Sequence, residues 1–242
     1  MSSVFLKFTA IDNRFSRDII KKHKHKQKRG IKMKLMTLNL NKFNYDVSKR
    51  QALSYINAVG ADLTVLQEYT QKVPVERLML CNPQNSTDKR CTFTAAVSDS
   101  YKISEGNLKH ILLVRMGKPK YPTVLGVHIT NGSFPGHRGD IVCGDFNKAN
   151  PDNKKFYDDL LNEGYTDLWE SAVAAHRAFY TDCFGTEHAA EENAFYRTFN
   201  TQRVNDCILC RKAFVPHLTK ILIDYRTLTF TDHCAVIAEF DI

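Results

Sequence analysis

Short apolar runs that stop on a polar residue recur along this chain. Residues 34–40 read as a buried strand, Leu35-Met36-Thr37-Leu38 running into Asn39, and residues 63–67 form a second that runs into Glu68. Between them Ser48 to Val59 has helical spacing, with Leu53, Ile56 and Val59 on one face and Gly60 as the stop. The polar stretch from Tyr69 to Ser100, with Pro74 and Pro83, predicts a helix turn and loops. Strands are predicted around 110–115 and 123–129, the second ending near His128, followed by a Gly-rich loop over 130–139. The run Ile141-Val142-Cys143 then stops at Gly144-Asp145-Phe146-Asn147. Lys154 to Asn162 predicts a helix, with a short connection through Trp169. Residues 171–193 predict helix or irregular chain, and Tyr196 to Phe199 a strand. Val204 to Cys210 and Thr227 to Phe240 supply the last strands, the second divided by a turn at Thr231-Asp232-His233. Strands alternating with helices define an α/β class.

Composition and charge change this picture in four ways. A length of 242 residues with 43% hydrophobic content supports one large core, and no Pro/Gly/Ser-rich stretch divides it. Seven cysteines without regular spacing argue against a disulfide framework and for a reducing compartment. No apolar leader and no run long enough to span a bilayer is present, so a soluble, cytoplasmic chain acting away from membranes is expected, as a monomer. The net charge of +8 is confined to the head of the chain. Of 34 Lys and Arg ten lie in residues 1–32, and of 26 Asp and Glu two do, leaving 24 of each in the remainder. Residues 1–32 therefore read as a basic extension, either a solvated tail or an arm for nucleic-acid phosphates, and residues 33–242 as the folded domain.

Four strand ends that deliver Asn39, Glu68, Asp145 with Asn147, and Asp232 with His233 place hard oxygen donors and a titratable imidazole at comparable positions. Mg²⁺-assisted phosphoester chemistry needs this combination. In order, Asn39, Gln67-Glu68, His128, Gly144-Asp145-Phe146-Asn147, Asp206 and Asp232-His233 resemble the endonuclease/exonuclease/phosphatase superfamily, which includes deoxyribonuclease I and apurinic endonucleases. The resemblance spans residues 34–242. It implies a four-layer α/β/β/α sandwich, two packed mixed sheets flanked by helices, with the site at one end of the sheets. It also implies a Mg²⁺ cofactor, with Mn²⁺ as a substitute, held by Glu68, Asn39 and Asp232. Asp145 would orient or deprotonate the attacking water, Asn147 would hold water or phosphate, and His233 would donate to the phosphate with Asp206 fixing its tautomer. His128 would be a second donor, and Arg138 and Lys148 would hold the substrate backbone.

Two departures shape the expectations. Arg203-Val204-Asn205-Asp206 carries one residue more than the Arg-Ile-Asp usual in such proteins, so either a bulge restores Asp206 to the site or Asn205 points there. The apolar Cys207-Ile208-Leu209 run that follows favours Asp206. The segment between His128 and Gly144 has room for a loop where relatives place a helix, which predicts a thinner packing layer on that face. Cys207-x-x-Cys210 suggests a redox or zinc pair, but on a strand residues three apart face opposite ways. The expected activity is phosphodiester hydrolysis in DNA or RNA. The alternatives are a phosphatase or phosphodiesterase acting on a small molecule or lipid headgroup, and, last, an inactive binding module.

Overall fold

The computed structural model describes residues 30–41, 46–69, 78–80, 93–97, 101–103, 111–116, 121–130, 136 and 138–242. Residues 1–29, with His23 and His25, lie outside the described residues, as do His110, the Gly117-Lys118-Pro119 break, His137 and most of the 130–139 loop. Lys32–Ile242 form one compact unit.

Two sheets make up this unit. The strands are β1 (Lys32–Asn39), β2 (Leu63–Tyr69), β3 (Leu78–Leu80), β4 (Phe93–Val97), β5 (Tyr101–Ile103), β6 (Ile111–Met116), β7 (Thr123–His128), β8 (Ile141–Asp145), β9 (Tyr165–Asp167), β10 (Ala178–Thr181), β11 (Glu187–Ala189), β12 (Asp206–Arg211), β13 (Leu218–Asp224) and β14 (Ala235–Asp241). The described helices are α1 (Asp46–Val59), α2 (Pro151–Asn162) and α3 (Leu168–Ala174). The first sheet runs β11-β10-β13-β14-β1-β2-β4-β3 and the second β5-β6-β7-β8-β12-β9, each mixing parallel and antiparallel pairs. No described helix is long and apolar enough to cross a membrane.

Side-chain parity builds the layers. Along β1, Met33 and Leu35 join a core that also holds Val124, Ile141, Cys143, Ile208 and Cys210 of the second sheet, so these positions face the gap between sheets. Met36 and Leu38 point the other way, onto Ala52 and Ile56 of α1. In the second sheet Leu125, Val127, Val142 and Leu209 face outward, onto Phe156, Tyr157 and Leu160 of α2. The result is helix, sheet, sheet, helix, the sandwich expected. Alpha2 covers the face opposite α1, and Phe146 stacks on Phe156 with ring centroids 6.0 Å apart.

Local chemistry sets the helix ends. Alpha1 stops where Gly60 takes φ 58, a left-handed C-terminal conformation natural to glycine. Alpha2 starts a turn earlier than the apolar spacing predicts. Asn150 caps it, accepting from the Asp152 N–H at 2.9 Å, and Pro151 occupies the first turn.

Several expected elements differ. The 69–100 stretch, read as turn and loops, contains strands β3 and β4. Residues 171–193 hold the end of α3 and the β10–β11 hairpin. Tyr196 to Phe199 is no strand; Phe199 makes single bridges to Arg203 and His233. Thr227 to Phe230, read as a strand, lies in a 3-10 turn (Tyr225–Thr229) and its cap, while the real partner of the last strand, β13, lies upstream. Asp224 opens that turn by accepting from Arg226 N–H at 3.1 Å, and the Thr227 hydroxyl donates to Asp224 O and His233 O. These bonds override the β preference of a Thr-rich run.

Candidate active site

The parity that fills the core also aims the polar strand ends. Asn39, two positions beyond Thr37 and four beyond Leu35, continues the inward face of β1. His128 follows Val124, Asp145 follows Ile141 and Cys143, and Asp206 precedes Ile208 and Cys210, all on inward positions. Register then aligns three of them, for His128 pairs with Asp145 across β7–β8 and Asp145 with Asp206 across β8–β12.

Asp145 is the hub and is only 1% exposed. Its Oδ1 accepts from Asn147 N–H at 2.8 Å and its Oδ2 from Asn39 Nδ2 at 2.9 Å. The Nε2 atoms of His128 and His233 stand 3.8 and 3.9 Å from Oδ2. His128 Nε2 is also 3.7 Å from Glu68 Oε1. On the far side His233 Nδ1 lies 2.8 Å from Asp206 Oδ2, the pairing that fixes an imidazole tautomer, and Phe199 packs on the same ring at 4.7 Å. Asp232 Oδ1 is 3.8 Å from His233 Nε2. The structure thus brings together Asn39, Glu68, His128, Asp145, Asn147, Asp206, Asp232 and His233.

Strained backbone accompanies the cluster. Glu68 and Asn147 adopt φ values of 50 and 47, a region that costs a non-glycine residue on the order of 1 kcal/mol or more. Gly144, just before Asp145, has φ 143, and a Cβ there would meet the Val127 carbonyl oxygen at 1.9 Å. Only glycine lets β8 pack this closely on β7.

The extra residue before Asp206 is absorbed by one hydroxyl. Thr198 Oγ1 accepts from both Asn205 N–H and Asp206 N–H at 2.9 Å, while Asn205 O accepts from Phe146 N–H at 2.8 Å. Asp206 thereby reaches His233, and Asn205 turns to line the cleft instead. Both readings of the motif hold in part.

The electrostatics are those of crowded acids. Burial, together with the neighbouring Asp206 carboxylate, pushes Asp145 up to about 7 against the pull of His233 and two hydrogen bonds. Burial alone would depress His233, but Asp206, Asp145 and Asp232 surround it and raise it to about 9.

Above the cluster opens a cleft of about 790 Å³, lined by Glu68, Asp145, Asn147, Asn205, Asp232 and His233 among others, with Asn150, Pro151 and Asn153 of the α2 N-terminus along one side. Asp145, Asp206 and His233 each offer a ligand atom within 4.8 Å of the others, a donor set able to hold a metal ion. The set formed by Glu68, Asn39 and Asp232 is richer in oxygen. Asn39, however, presents Nδ2 to Glu68 and Asp145, while its Oδ1 accepts from Asn41 N–H at 2.9 Å. Asn39 as placed orients the two carboxylates, and ligation through its oxygen would require the amide to turn.

Three expected roles need correction. Arg138 is held by Glu163, at 2.7 and 2.8 Å, and does not line the cleft. Lys148 sits 4.0 Å over the Tyr157 ring and faces a different cavity. His128 is buried between Glu68 and Asp145 beneath the cleft rather than at its surface. Thr198 was not singled out by sequence, because an isolated threonine carries no spacing signal; Thr231 was read only as part of the turn before His233, and its hydroxyl donates to Asn39 O at 2.8 Å.

The fold is the deoxyribonuclease I-like four-layer α/β/β/α sandwich. Among solved structures the chain is similar to a 3′ phosphatase, NExo, from Neisseria bound to a product DNA hairpin (18% identity, 87% of this chain and 100% of that one, TM-score 0.59). It is similar too to the endonuclease domain of TRAS1, a telomere-specific non-LTR retrotransposon (14%, 87% and 98%, TM-score 0.60). An AP endonuclease from Archaeoglobus fulgidus matches over 87% of this chain and 100% of its own at 12% identity, with a TM-score of 0.58. No protein-family model and no curated protein sequence matches the chain.

Proposed function

We propose that the chain is a metal-dependent phosphoesterase, a nuclease that hydrolyses phosphodiester bonds of DNA or RNA by in-line attack of an activated water. One observation carries this reading: Asp145, hydrogen-bonded to Asn39 and flanked by His128 and His233, forms the floor of an open, polar-walled cleft. Neighbours in fold support it: an endonuclease domain, an AP endonuclease, and a 3′ phosphatase solved with a DNA hairpin product.

In this reading Asp145 orients the water and takes its proton, and Asn147, whose Nδ2 donates to Ile129 O at 3.0 Å, keeps its carbonyl oxygen to order that water. His233 donates to a phosphate oxygen as charge builds there, and Asp206 holds the ring in position. Glu68 and Asp232 fit a hard divalent cation. Asp232 Oδ1 is buried without a hydrogen-bond partner among the described residues, and carboxylate oxygens are what Mg²⁺ or Mn²⁺ prefers. Bound there, the ion supplies charge neutralisation at the phosphate. The N-terminal turn of α2 beside the cleft favours the anionic substrate as well.

The test is nicking of supercoiled plasmid by the full chain with Mg²⁺, with EDTA, and by Glu68→Gln. Metal-dependent nicking lost in the variant supports the reading. Nicking that survives EDTA would contradict it, and hydrolysis of phosphomonoesters alone would move the chain to the phosphatase branch.

A further inference from the structure

A second cavity, of about 240 Å³, opens beside α3 and runs inward between the sheets. Its floor is Ile208 of the second sheet and Ile221, Ile223 and Val236 of the first. Trp169 and Tyr196 wall it, in edge-to-face contact at 5.1 Å, and Phe195, 66% exposed, stands at the mouth. Three carboxylates line it: Asp167, Glu170 and, among the buried lining residues, Asp206. Lys148 is the single cation and is already engaged over Tyr157.

The charges decide the ligand class. Asp206 is compensated by His233, and Lys148 offsets one of the other two acids, leaving one negative charge over. Asp167 is committed, its oxygens accepting from Tyr157 O–H and Trp169 N–H. Glu170 at the rim is therefore the acid left for a cation. Inside, Asp206 is 2% exposed, and its Oδ1 has no hydrogen-bond partner among the described residues although Oδ2 holds His233. Apolar cavities near 150 Å³ are known to hold benzene, so this one suits about a single ring with a small head group.

We infer that this cavity is a second ligand site, for a planar one-ring organic cation with N–H donors, such as an amidinium or guanidinium. Its ring lies against Trp169 and Tyr196, where a cation gains from the aromatic faces, and its charge answers Glu170 at the rim, with Asp206 among the residues lining the cavity beneath it. Because Asp206 also holds His233, occupancy reaches the candidate active site from behind without entering the cleft. The site goes beyond the proposed hydrolysis and stands whether or not that reading holds.

Benzamidinium is the probe, measured by calorimetry and by NMR of the His233 imidazole on the full chain. Saturable binding near 1 mM is expected for a nine-atom ligand. The neutral isostere benzamide should bind about tenfold more weakly, Glu170→Gln should weaken benzamidinium about threefold, and Trp169→Ala more. The His233 signals should shift on saturation, and Glu68→Gln should leave the affinity unchanged. Glu170→Gln alters only a rim side chain, so it keeps the test decisive if Trp169→Ala folds poorly. Absence of saturable binding, equal binding of benzamide, or binding lost in Glu68→Gln but intact in Glu170→Gln would overturn the inference.

Discussion

The buried Asp224 at the end of β13 and the aspartates gathered around His233 could hardly differ more. Asp224 closes β13 opposite Ala235, two residues after His233. Its oxygens accept from Thr181 O–H at 2.6 Å, Tyr55 O–H at 2.7 Å, Arg226 Nε at 2.9 Å and Arg226 Nη2 at 2.5 Å. Burial would raise its carboxyl, but these donors outweigh it and hold it below the ordinary range. In the neighbouring cluster Asp145, Asp206 and Asp232 crowd together, Asp145 is pushed up, and Asp206 and Asp232 each keep a buried oxygen without a hydrogen-bond partner among the described residues. A buried charge whose every lone pair is answered is part of the scaffold. Like charges gathered around one imidazole, with oxygens left over, are costly to folding and make sense where a ligand completes them.

The contrast can be broken at either group, and the largest effects belong to the unsatisfied one. Chelation of the divalent ion, or Glu68→Gln, should reduce phosphodiester hydrolysis by about 10³-fold or more while moving the melting temperature little, read in a nicking assay beside a thermal melt. His233→Ala should cost about 10² to 10³ in kcat, the range for losing a donor to developing charge. Asp206→Asn, which acts through His233, should cost about ten- to a hundredfold in kcat with KM little changed. At the satisfied group, Asp224→Ala strands Tyr55 O–H and should cost about 2–3 kcal/mol, a fall in melting temperature of roughly 5–10 °C, with activity per folded molecule unchanged.

Acid sharpens the comparison further. Since the folded carboxyl of Asp224 titrates below its unfolded value of about 3.9, its contribution is complete above that pH and is lost as pH falls through the lower folded value. Urea unfolding from neutral to strongly acid pH should show this decline in the parent and a shallower one in Asp224→Asn.

How far the sequence foretold all this depends on the kind of signal. The apolar runs bordered by Asn39, Asp145 and Asp206 were legible as strands, but the runs do not alternate, and the inward face each polar residue takes is set by the core residues of the same parity around it. The helix covering Val142 and Leu209 was underestimated, since the cap at Asn150 and Pro151 lies outside the apolar spacing. Beta13 escaped notice because Thr219 and Lys220 interrupt its apolar face where the register shifts between Leu218 and Lys220. In the site, strand-end acids and imidazoles were legible from their order along the chain. The destinations of Arg138 and Lys148 were not, because long cationic side chains go to whichever partner the fold presents, here Glu163 and the Tyr157 ring. The bulge that Thr198 secures was foreseen as one of two alternatives, and only the three-dimensional hydroxyl contact decides it.

The most direct test of the central claim is a thermal melt and a hydrolysis assay on Asp145→Asn, run with Asp224→Ala as the reference. The melting temperature of Asp145→Asn should equal or exceed that of the parent, since repulsion with Asp206 is relieved, and hydrolysis should be lost. A melting temperature that falls as far as that of Asp224→Ala, or hydrolysis that persists, would contradict that claim and make Asp145 another scaffold aspartate.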